Sequence, residues 1–124
     1  MFNPKTIIEY NMKPTRIFDL LQIQKEKYNL PDALNIRMPD GWYCYSSQDF
    51  ADIANSISIG LLKLGIKKDD KVAIISANRP EWNFIDFGSQ QIGAVTVPIY
   101  PTTTTEDYHY IFEHSETKIV FVDT

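Results

Sequence analysis

Side chains able to do chemistry gather in two short runs of this 124-residue sequence. The first is Ser76-Ala77-Asn78-Arg79-Pro80-Glu81-Trp82. The second, Val97-Pro98-Ile99-Tyr100-Pro101-Thr102-Thr103-Thr104-Thr105, sets two prolines and four consecutive threonines directly behind an apolar stretch. Asn78 and Arg79 offer an amide and a guanidinium to an anion at a helix start, while Tyr100, Thr102 and Thr103 offer hydroxyls to a ligand. Each also has a structural reading. Asn78 suits a helix N-cap, and the threonines supply cap oxygens, Thr103 lying three residues before Glu106 and Thr104 three before Asp107.

Other chemistry is hard to assemble. The 76–82 run has no glycine to let backbone approach a pyrophosphate, and GxxxxGK[ST] is absent, so neither familiar phosphate cradle is present. His109 and His114 are five apart, which puts them on different sides of a helix, unlike the i, i+4 pair of a metal site; His114 instead suits a helix C-terminus. Ser89 and Ser115 sit in no GxSxG elbow. Cys44 reads as packing in an apolar strand, Asp69-Asp70 after Lys67-Lys68 as a solvated turn, and Arg79 with Glu81 as surface charge. The expectation is no catalytic residue and no metal site, with Asn78, Arg79, Tyr100, Thr102 and Thr103 as binding candidates.

These runs need elements to hold them. Hydrophobic residues at 44% against 23% charged are enough for a folded core in a chain of this length. A net charge of −4, with no basic cluster beyond Lys67-Lys68, excludes the footprint of a nucleic-acid binder. The single cysteine forbids an internal disulfide and leaves a structural zinc site without soft ligands, pointing to a reducing cytoplasm. No apolar run approaches the roughly 20 residues of a membrane span, although peripheral contact through an amphipathic face stays open.

Helical spacing of Ile17, Phe18, Leu20 and Leu21 predicts a first helix after Pro14-Thr15. Ala33 to Arg37 and Trp42 to Tyr45 read as a hairpin around Pro39-Asp40-Gly41. Ser46 and Asp49 have capping-box spacing ahead of Phe50, Ile53, Ala54, Ile57, Leu61 and Leu64, with Gly65 as C-cap. Three β-branched runs follow, Val72–Ile75, Ala94–Val97 and Ile119–Val122, continuous enough to predict strands covered on both faces. Pro98 and Pro101 are expected to end the second. Helices fill the gaps: the stretch Pro80 to Gly93, with Gly93 past the last turn, and Glu106 to His114. The predicted fold is α/β: a three-stranded parallel sheet flanked by helices, preceded by an N-terminal helix and a β-hairpin, in one unit spanning 1–124. Phe121-Val122-Asp123-Thr124 leaves that sheet with an open edge, and Tyr10, Tyr28, Trp42 and Tyr43 are aromatics the core does not need, so self-association is expected.

The order of segments carries a resemblance. Ser46-Ser47-Gln48-Asp49-Phe50, Gly60 to Ile74 with Gly65-Ile66-Lys67-Lys68-Asp69-Asp70 within it, Asn78-Arg79-Pro80-Glu81-Trp82, Ile92-Gly93-Ala94-Val95-Thr96-Val97-Pro98-Ile99-Tyr100-Pro101-Thr102, and Tyr110-Ile111-Phe112-Glu113-His114-Ser115-Glu116 together resemble the N-terminal region of the adenylate-forming enzymes, most closely the long-chain fatty acid–CoA ligases. Leu30-Pro31-Asp32-Ala33-Leu34 fits the same pattern. The resemblance implies a partial subdomain of a larger acyl-CoA synthetase fold. It also implies a reaction using ATP, Mg²⁺ and CoA, in which a fatty acid becomes an acyl-adenylate and then an acyl thioester. The family's phosphate loop, ribose-binding acid, hinge and catalytic lysine have no counterpart here, so this segment is expected to be inactive alone. The competing expectation is a small non-catalytic α/β module that binds a nucleotide or a protein.

Overall fold

The computed structural model describes residues 13–123; the expectations that fall on Tyr10 and Thr124 lie outside them. The chain opens with helix α1 (Asp19–Ile23), which widens without a break into a π-helical turn over Gln24–Tyr28. Asn29 ends it in the left-handed conformation, φ 44°, a region this short polar residue tolerates. Strands β1 (Leu34–Met38) and β2 (Gly41–Tyr45) then pair antiparallel as a hairpin. Its turn needs Gly41, whose φ is 142°.

Helix α2 (Ser47–Lys63) starts with the expected box: Ser46 Oγ accepts from the Asp49 amide at 3.0 Å, and Asp49 Oδ2 accepts from the Ser46 amide at 2.9 Å. Strand β3 (Lys71–Ile75) leads to helix α3 (Pro80–Gln91), strand β4 (Val95–Ile99), helix α4 (Thr105–Ser115) and strand β5 (Thr117–Val122). The last three strands form a parallel sheet in the order β4-β3-β5. The β3–α3–β4 connection steps to one edge and the β4–α4–β5 connection returns past β3 to the other, so right-handed crossovers place α3 and α4 on opposite faces.

Two apolar clusters hold these layers together. In one, Phe50 and Ala54 of α2 meet Phe84 of α3 and Leu21 of α1, with Phe50 and Tyr45 each packing edge-on or tilted against Phe84 at ring separations of 5.5 and 5.0 Å. In the other, Leu61 and Ile66 cover Val72 and Ala94. Where α2 crosses α3, the Ser58 hydroxyl is buried and donates to the Gly88 carbonyl oxygen at 2.7 Å, and the Gln91 Oε1 lies 2.6 Å away.

Four expectations are corrected. Only β3 is covered on both faces: Val72, Ala73 and Ile74 are fully buried, whereas Val95, Val120 and Val122 on the flanking strands are exposed, because among the described residues β4 and β5 are sheet edges. Pro98 does not end β4. It lies inside the strand, opposite Ile74, and Ile99 follows. The Val95 amide donates inward to Asp70 O, so strand alternation turns residue 98 outward, where an edge strand tolerates a missing N–H. Leu64, expected in the core face of α2, occupies its C-cap and is 69% exposed. Cys44 is exposed rather than packed, because Tyr43 and Tyr45 flank it and only Tyr45 turns toward the core.

Candidate functional site

The carboxyl ends of β3, β4 and β5 converge on a crevice built by the 76–82 run, residues 98–100 and Asp123. Parallel strands expose their terminal carbonyls and the following loops here, the usual seat of ligands in open α/β sheets. Arg79 organises it. Pro80 at the first position of α3 fixes the chain direction, and Arg79 takes the N-cap position in extended conformation, with no side-chain cap hydrogen bond. Asn78, expected as the cap, stands one residue too early and is exposed in the preceding bend.

Arg79 is freed to reach two carboxylates. Its Nε and Nη2 donate to Glu81 at 2.8 and 2.9 Å in a fork, and its Nη1 donates to Asp123 Oδ1 at 2.5 Å. The expected surface pair is thus a half-buried network linking the exit of β3 to the exit of β5. Hydrogen bonds and charge from Glu81, then from Asp123, hold the Arg79 guanidinium even more firmly protonated than usual. In return Arg79 keeps the Glu81 carboxyl below its ordinary range. The ladder supports the same link, the Asp123 amide donating to Ile75 O at 2.9 Å.

Trp82 divides the crevice. On its β5 side is a cavity of about 270 Å³ with Ile74, Ile85 and Phe121 as apolar walls and Ser76, Arg79, Glu81 and Asp123 at the rim. On its β4 side is one of about 280 Å³ lined by Ser76, Trp82, Pro98, Ile99 and Tyr100. A wider groove, about 570 Å³, separates β1 from Ala77, Asn78, Arg79, Pro80 and Asp123.

The structure therefore brings Asn78, Arg79 and Tyr100 to this edge and leaves two candidates aside. Thr102 is exposed in the turn after β4, and neither it nor Thr103 lines the three cavities. The Thr103 amide and the Tyr108 hydroxyl both donate to Tyr100 O, at 3.1 Å each, which ties the turn down. Of the two possible caps it is Thr104 that caps α4, its Oγ1 accepting from the Asp107 amide at 3.2 Å. Ser76, Trp82 and Asp123 were not among the sequence candidates. Trp82 sat in plain view beside Pro80-Glu81, but pairing Asp123 with Arg79 needs the register of β5 on β3. His114 does lie in the last turn of α4, stacked on Tyr110 at 5.4 Å.

A parallel sheet with its polar loops and apolar cavities at the carboxyl edge is the open α/β arrangement in which ligands collect at the strand ends. The chain belongs to the AMP-binding enzyme family, whose pattern it matches over residues 23–124. It is 37% identical over 89 residues to the long-chain-fatty-acid–CoA ligase FadD15 of Mycobacterium bovis, a match covering 71% of this chain and 15% of that protein. With the ligase ACSBG1 of Mus musculus it shares 30% identity over 112 residues, 90% of this chain and 16% of the relative. An uncharacterized protein of Mycobacterium tuberculosis is 33% identical over 93 residues and is covered to 53%. Among solved structures, a fatty acid AMP ligase from Legionella pneumophila superposes with a TM-score of 0.80 at 17% identity, over 94% of this chain and 21% of that one, a likeness of fold. The Mycobacterium tuberculosis fatty acyl CoA synthetase gives 0.71 at 25% identity, over 85% of this chain and 21% of that one. The chain thus spans about a sixth of the ligase relatives it matches.

Proposed function

We propose that this chain is the N-terminal portion of the large domain of an ATP-dependent long-chain fatty acid–CoA ligase, inactive by itself. The observation that carries the reading is the family match across residues 23–124, together with ligase relatives of which this chain covers only 15% and 16%. In the intact enzyme a fatty acid carboxylate attacks the α-phosphate of ATP to give acyl-adenylate and pyrophosphate, and the CoA thiol then displaces AMP. The work falls within the cytoplasm, with peripheral contact at a membrane. No helix among the described residues is long and apolar enough to cross one.

This segment's share of the work is walls and alignment. The 76–82 and 98–105 loops border the acyl or pantetheine passage, with Trp82 and Tyr100 as apolar surface and Asn78 and Arg79 as polar rim. Its residues do not fit Mg²⁺: the two carboxylates at the crevice, Glu81 and Asp123, already face Arg79, and no third acidic, cysteine or histidine side chain joins them among the described residues. They do not fit the ATP phosphates either, since stabilising developing phosphoryl charge takes an array of amide and cationic donors aimed at it. Self-association through an open sheet edge completes the reading of partners.

The test is ATP–pyrophosphate exchange with a long-chain fatty acid. The isolated chain should show none, and a chimera in which it replaces the matched segment of the Mycobacterium bovis ligase should exchange. Exchange by the isolated chain, or a folded but dead chimera, overturns the proposal. A non-catalytic binding module is the second reading, favoured by the far larger share, 53%, of the uncharacterized mycobacterial protein that the chain covers.

A further inference from the structure

No further inference is drawn: the strongest candidate, the pair of apolar cavities that Trp82 separates at the carboxyl edge of the parallel sheet, belongs to the crevice already described, and its β5-side wall ends at Asp123, where the described residues stop.

Discussion

Replacing Arg79 by methionine keeps much of the stem and removes the fork that grips Glu81 and Asp123. Hydrogen exchange at the Asp123 amide should accelerate while the interior of β3 is unaffected; unchanged exchange at Asp123 would make the network decorative. The acid side of the stability curve belongs to the same scale. Asp19, held by Arg16, titrates near 2 rather than 3.8, and Asp49, bonded by Ser46, and Glu81, bonded by Arg79, are also lowered. A depressed carboxyl stabilises the fold fully above its ordinary value, and that contribution is lost as pH falls through the lower folded one. Melting temperature should therefore decline from about pH 5 to about pH 2, and Glu81→Gln should flatten part of that decline. Local chemistry was readable in sequence where one residue acts on its neighbours, as with Ser46 and Asp49. Asn78, Cys44 and the Arg79–Asp123 link were misread or missed because one residue of phase, or 44 residues of separation, decides them.

At the level of elements, α2 and α3 approach so closely that a Cβ at Gly88 would lie 2.7 Å from Ile57 Cγ2 and 2.9 Å from Ala54 O. Gly88→Ala should cost about 1–3 kcal/mol of stability, read from urea unfolding, because backbone cannot yield as a flexible side chain would. Ser58→Ala at the same crossing removes a donor and leaves the Gly88 carbonyl short of a partner, for a loss of about 1 kcal/mol. Ser89 is a contrast: its hydroxyl is buried without a hydrogen-bond partner, so Ser89→Ala should be neutral or stabilising in the same assay. The periodicity of Phe50, Ala54 and Leu61 announced the buried face of α2, yet it passed over Ser47 and Ser58, polar residues that only a facing carbonyl or amide makes comfortable inside. The runs that became β4 and β5 looked like β3 in composition. Edge or centre is a property of sheet order, which no single strand encodes.

Taken whole, the molecule is anchored on β3, the one strand with neighbours on both sides among the described residues. Amides of Val72 to Ile74 should be the last to exchange with solvent and those of the β1–β2 hairpin among the first, a gradient that native-state hydrogen exchange would reveal. The parallel arrangement, the order of elements and the family could all be read from the chain, because alternating β-branched and amphipathic segments admit few topologies. The crevice could not, since its walls come from four separate stretches. Trp42 stands 65% exposed on the hairpin, and Trp82 stands half-buried between the two cavities. The chain has only these two indoles, so it carries its own optical gauge. With Trp42→Phe, all tryptophan emission would come from the partition in the crevice, and a brominated fatty acid entering either chamber would dim it.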